Sequence, residues 1–273
     1  MTQRVLLTIE YDGRPYCGWQ RQNDRPSVQQ TIEEALANFD EGARNLQCAG
    51  RTDAGVHAYA MRAHVDIARN LDANRIKEAL NYFLKGKAIV ILDVTFVTPD
   101  FNARFHCLGR SYLYYITNRR APLTFGRGLS WHVPVMLNIE AMQKSTQYLL
   151  GQHDFSAFRA KDCQAKSPIK TLDYLDVTLT QGGCLVRTHA RSYLYNQIRN
   201  IVGTLCDVGR GRFPPQDVKT ILKSKNRNKA GVCAPAEGLY FWKAWYDESE
   251  GPEVLKETFF SLPVSAAFPH KKY

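Results

Sequence analysis

Apolar positions along the chain switch between two periods, and the switches outline the elements. Residues 5–11 carry a strand pattern, and the Asp12, Gly13, Pro15 cluster after them marks a turn. Val28, Ile32, Ala35, Leu36 and Phe39 then recur at helical spacing, with Ser27 as the expected N-cap and Gln30 completing a capping box. Residues 62–67 alternate like a strand; Ile76, Ala79, Leu80 and Phe83 mark a second helix; residues 88–97 read as a buried strand. Pro99 and Asp100 break this series, and a basic, aromatic segment follows. Residues 139–150 are predicted as a helix closed by Gly151, and residues 172–191 as a hairpin turning at 181–183. Residues 192–208 form a predicted helix with Leu194, Ile198, Ile201 and Leu205 on one face. Pro214 and Pro215 open another helix, and residues 238–246 are a late strand. The order predicts an α+β fold: two mixed α/β domains with mainly antiparallel sheets, over residues 1–105 and 106–273.

Composition agrees with a folded chain of this size. Of 273 residues, 44% are apolar, with 14 Tyr, 13 Phe and 4 Trp, so a core forms without disulfide staples. Charge narrows the partners. The formal net charge is +10, which points first to nucleic acid and second to an anionic membrane surface. No apolar run approaches the ~20 residues of a membrane helix, and the apolar run at the start is too short for a signal peptide. The seven cysteines are spread singly with no C-x-x-C pair, which fits a reduced, cytoplasmic compartment. A phosphate-binding G-x-x-x-x-G-K-[ST] loop, a zinc deaminase signature and a serine elbow are all missing from the sequence. His57 and His64 are expected on different elements, and the histidine spacing argues against a metal site.

The chemistry concentrates in "CAGRTDAGVHA", Cys48 to Ala58. Asp53 sits two residues after Arg51, flanked by Gly50 and Gly55. It is either the acid of a loop ion pair or Asx turn, or a preorganised carboxylate presented to a ligand. Gly50 and Gly55 let a ligand approach the backbone, Thr52 and His57 can hydrogen-bond the loop, and Val56 anchors it.

This stretch resembles the catalytic motif of the tRNA pseudouridine synthase A family. "YDGRPYCGWQRQ", "FNARFHCLGRSYLYYI", "GQHDFSAFRA", "QIRNIVGTL" and "APAEGLYF" resemble further motifs of that family, in its order. The resemblance implies two α+β domains around a central RNA-binding cleft. It also implies an isomerase that converts uridine to pseudouridine at positions 38, 39 and 40 of the tRNA anticodon stem-loop. Such an enzyme needs no cofactor and no metal, and works as a homodimer away from membranes. The reaction cuts the bond from uracil N1 to ribose C1′, turns the base and rejoins it through C5. An ionised aspartate serves either as nucleophile or as base toward the 2′ proton, and the sequence leaves both open.

By the same resemblance Asp53 is catalytic, Arg199 is the arginine that holds it ionised, and Tyr112 stacks on the target uracil and takes part in the final proton transfer. Arg51 would fill the space left by the flipped nucleotide. Arg104 and Arg110, with Lys85, Lys87, Arg119 and Arg120, are candidates for phosphate contacts, although such charges also suit a plain solvated face. The basic run at residues 223–229 is open between an RNA contact and a solvated loop. Tyr195 and Asn196 stand where family members commonly carry two histidines, a difference that falls on local RNA contacts and not on the reaction. Two other functions fit: a tRNA-binding protein that aids folding without catalysis, and a pseudouridine synthase for another RNA.

Overall fold

A computed structural model describes residues 2–250 of the chain, so the last part of the expected second domain, residues 251–273, lies outside the described residues. In chain order the elements are β1 (Gln3–Tyr11), α1 (Val28–Phe39), β2 (Arg44–Cys48), β3 (His57–Ile67), α2 (Ala73–Phe83) and β4 (Ile89–Phe96). There follow β5 (Gly109–Asn118), β6 (Trp131–Val133), α3 (Ile139–Thr146), β7 (Gly151–Asp154), β8 (Ile169–Leu172), β9 (Tyr174–Thr180) and β10 (Gly183–Ala190). The last are α4 (Gln197–Gly209), α5 (Asp217–Ser224) and β11 (Leu239–Trp245). The fold is α+β with mainly antiparallel strand pairs, and it divides into two compact units.

The first unit holds residues up to Arg110 and takes back Tyr240–Tyr246 from late in the chain. Its β1 pairs antiparallel with both β3 and β4, β2 pairs antiparallel with β3, and β11 joins β3 in parallel with Tyr240 opposite His57. Val28, Ile32, Ala35, Leu36 and Phe39 of α1 are buried as their spacing predicts. Ser27 Oγ accepts the Gln30 amide at 3.2 Å, but the Gln30 side chain donates to Glu34, so only half of the capping box forms.

Two strands depart from their expected burial. β4 is an edge strand, so Leu92 and Phe96 are exposed where a buried strand was predicted. In β3 the alternation hides a strand covered on both faces, because residues 63–67 are all buried. Asp66 is paired with Arg4 at 2.6 Å and accepts a hydrogen bond from Asn45 Nδ2 at 2.7 Å, and His64 Nδ1 accepts the Ala103 amide at 3.1 Å. His57 and His64 lie on this one strand, not on different elements.

The second unit begins at Ser111. β9 and β10 form the expected hairpin, turning through Gly182 at φ +89°. α3 stops at Thr146, short of Gly151, whose left-handed φ of +88° opens β7 instead. α4 begins five residues later than its apolar pattern suggests. Asn196 adopts φ +58° immediately before it, a left-handed conformation that Asn tolerates and that cannot continue a helix backwards. Leu194 and Tyr195 are therefore outside the helix, and Arg199 sits in its first turn.

Candidate active site

In the first unit the Arg51–Asp53 stretch is a rigid turn between β2 and β3. Gly18 and Asp53 form an isolated antiparallel bridge, and the Trp19 amide donates to the Thr52 carbonyl at 3.0 Å. The contact demands glycine. A β-carbon on Gly18 would stand 2.6 Å from the Thr52 oxygen, and one on Gly13 would stand 2.2 Å from the Val56 oxygen. The carbonyls of Gly18 and Trp19 in turn accept the amides of Val28 and Gln29, donors at the start of α1 that lack partners inside the helix. α1 thus holds the 18–19 segment, and that segment holds the Asp53 turn.

Side chains brace the same turn. The Tyr11 hydroxyl and Thr52 Oγ1 share a buried 2.7 Å hydrogen bond, Val56 is buried, and Gly55 takes φ +78°. The Val56 amide closes the turn on the Asp53 carbonyl at 3.1 Å. Asp53 itself is half-buried, and Arg51 is exposed. His57, expected to fix the loop, is buried against the Tyr240 ring at 4.6 Å, with Nδ1 near both the Gly13 amide and Asp12. Burial raises the Asp12 carboxyl, but hydrogen bonds from Arg14 and the nearby His57 outweigh that and hold it below its ordinary range.

Arg110 is a structural clamp in this unit. Its Nε and Nη2 donate to the Ala49 carbonyl at 2.9 and 2.7 Å, and Nη2 also reaches the Arg104 carbonyl at 2.9 Å. The exposed Arg104 guanidinium lies over the Phe105 ring at 5.6 Å. The Arg110 guanidinium therefore ties the Arg104 carbonyl to that of Ala49, two residues before Arg51.

Arg199 and Tyr112 belong to the second unit. Arg199 Nε donates to the Ala234 carbonyl at 2.7 Å, Nη1 donates to Asn196 Oδ1 at 3.1 Å, and the Ala234 amide returns to the Arg199 carbonyl. The side chain is thus oriented by α4 and by the segment that approaches it. Gly203 permits that approach, since a β-carbon there would stand 1.7 Å from the Val232 oxygen. Asn196 serves both as the left-handed residue and as an acceptor for Arg199. Tyr112 keeps 8% of its surface exposed and meets Tyr193 edge-on at 5.3 Å. Its strand neighbour Tyr114 is fully buried with its hydroxyl on the Pro235 carbonyl, and burial drives its pKa well above the ordinary tyrosine value.

A family model described as "tRNA pseudouridine synthase" matches residues 7–106 and 146–247, which span both the Asp53 turn and the Arg199 helix. The chain belongs to the tRNA pseudouridine synthase family. A tRNA pseudouridine synthase A of Rhodospirillum centenum is 54% identical over 244 residues, covering 89% of this chain and all of the relative. The enzyme of the same name from Paramagnetospirillum magneticum is 48% identical, over 91% of this chain and 97% of its own length. Membership makes the chain an isomerase that forms pseudouridine in tRNA.

Sequence reasoning named Thr52 and Val56 as supports of the Asp53 turn but not the remote groups they meet. Gly13, Gly18, Tyr11 and Trp19 act on the Asp53 turn through contacts distant in sequence, and the Ala49 and Ala234 carbonyls are backbone groups that no residue pattern reveals. The glycines of "YDGRPYCGW" were the available signal. In the basic run at 223–229, Arg227 is committed to the Gly231 carbonyl and Asn200, and Lys225 pairs with Asp154, while Lys223 and Lys229 are exposed. Among the described residues, no helix is long and apolar enough to cross a membrane.

Proposed function

We propose that the chain isomerises uridines 38, 39 and 40 of the tRNA anticodon stem-loop, with Asp53 as the reacting carboxylate. The observation that carries this reading is the turn around Asp53. A solvated ion-pair acid needs no bridge that only glycine allows at residue 18, yet this carboxylate sits on a backbone fixed by Trp19, Tyr11 and Arg110. Such fixing suits an acid that must meet a sugar or base in one orientation.

In the reaction an ionised Asp53 either attacks the nucleoside or removes the ribose 2′ proton as N1 leaves C1′. The detached uracil turns so that C5 faces C1′; the new carbon–carbon bond forms as Asp53 is released from the nucleoside or as the proton returns to C2′, and the proton lost from C5 is matched by one taken up at N1. Arg199 is the cation that keeps the carboxylate charged once water is excluded. Tyr112 offers its ring to the uracil and its hydroxyl to the last proton transfer. Arg51, exposed at the turn, replaces the extruded nucleotide in the stem and offsets the few kcal/mol of unstacking. No step calls for a metal or cofactor. The enzyme acts as a cytoplasmic homodimer, and the +10 charge supplies attraction to phosphates.

Mapping pseudouridine in tRNA from cells lacking the protein tests the reading. Loss confined to positions 38–40, restored by the wild-type gene, is expected. Intact pseudouridine at all three positions would refute the assignment.

A further inference from the structure

Residues 101–110 are immobilised beyond what a surface turn requires. Asn102 Oδ1 accepts the amides of Arg104 at 2.9 Å and Phe105 at 3.1 Å. Ala103 is fully buried, its amide donating to His64 Nδ1 and its carbonyl accepting the Tyr246 hydroxyl at 2.9 Å. Arg4 holds the Phe101 carbonyl at 2.9 Å, and Arg110 holds that of Arg104. On this fixed frame Phe105 is 73% exposed, with the Arg104 guanidinium over its ring.

An exposed phenylalanine on a mobile loop is ordinary. Here the backbone on both sides of the ring is held by hydrogen bonds from Asn102 and Arg110, and the ring projects from it exposed. The pairing with arginine selects the occupant. A phenyl face beside a guanidinium matches an unstacked nucleobase and the phosphate next to it, because every base has a π-face and the cation meets the backbone charge. The frame is also tied to the reacting turn, since the Arg110 guanidinium that holds Arg104 also holds Ala49, two residues before Arg51.

We propose that Phe105 and Arg104 form a stacking platform for an unpaired base of the tRNA flanking the target uridine. The proposal rests on the tRNA reading above and adds a base contact to it. The platform is sequence-tolerant, as suits an enzyme that serves three adjacent positions, because stacking discriminates little between bases.

The test compares Phe105→Ala, Phe105→Leu and Phe105→Trp with wild type in tRNA binding, in KM and in oligomeric state, with thermal melts to verify folding. Phe105→Ala should weaken tRNA binding and raise KM by about 5- to 150-fold, the range of one lost stack. Phe105→Leu should not restore it. Phe105→Trp should restore it, and the indole emission it adds should be quenched when tRNA binds. Wild-type binding by the alanine variant, or full rescue by leucine, overturns the proposal. So does a change in oligomeric state with tRNA binding unaltered, which would assign the ring to a second copy of the chain. A wild-type protein that binds tRNA but makes no pseudouridine refutes the functional reading instead, and the stacking contact is still decided by the binding data.

Discussion

Replacing Gly18 by alanine isolates the support of the Asp53 turn. The new β-carbon would lie 2.6 Å from the Thr52 oxygen and 3.0 Å from the Asp53 carbonyl carbon. Carbon–oxygen contacts settle near 3.3 Å, so the bridge must open by about 0.7 Å. The residue also sits at φ +109°, where a side chain costs about 1–3 kcal/mol. Losing the Trp19–Thr52 hydrogen bond adds about 1 kcal/mol, for a total of roughly 2–4 kcal/mol. Catalysis should suffer as well as stability, because a shift approaching 1 Å in a reacting group costs about a hundredfold, or about 2.7 kcal/mol. Gly86→Ala is the control: φ is +78°, but no atom lies within 4 Å of its β-carbon, so only the backbone cost remains. Steady-state pseudouridine formation, run below both melting temperatures, should show kcat lowered by about 10- to 100-fold in Gly18→Ala and unchanged in Gly86→Ala. Equal kcat in the two folded variants would refute the role given to the bridge.

Three further outcomes follow from other parts of the chain. Arg199→Lys keeps the charge but loses the donors to Ala234 and Asn196, so kcat should drop at least tenfold while tRNA affinity changes little; matched losses in both would contradict the carboxylate-partner role. Hydrogen bonds from Arg4, opposed by burial, hold the Asp66 carboxyl below its ordinary value, so its stabilisation is present above about pH 4 and is lost as pH falls through the lowered pKa. Asp66→Asn should therefore flatten the acid limb of a stability–pH curve, and an unchanged limb would contradict the ion pair's contribution. Affinity for tRNA should fall steeply and linearly on a log–log plot against salt, as counterion release requires, and a slope near zero would show that the +10 charge does not serve RNA.

Legibility differed between elements for physical reasons. α1 could be read to the residue because its apolar stripe and its Ser27 cap are local signals. The start of α4 could not, because the apolar pattern of 192–208 runs on through Asn196, whose left-handed backbone ends the helix. The double-sided burial of β3 depends on Arg4 and Ala103, partners remote in sequence that make Asp66 and His64 tolerable inside. The return of β11 to pair in parallel with β3 is likewise a long-range fact. At the candidate site, the contiguous motif around Asp53 folds as a single braced turn, and Arg110, expected to meet phosphate, carries hydrogen bonds to two carbonyls of its own unit. What escaped the sequence was chiefly backbone acting on side chain, and side chain on backbone.

The central claim is that Asp53 does the chemistry, and tritium release from tRNA labelled at uridine C5 measures it most directly. Asp53→Asn keeps the size and hydrogen-bonding capacity of the side chain and removes its charge. The account predicts no detectable release from the asparagine variant while tRNA binding stays within a few fold of wild type. Sustained tritium release by that variant would contradict it.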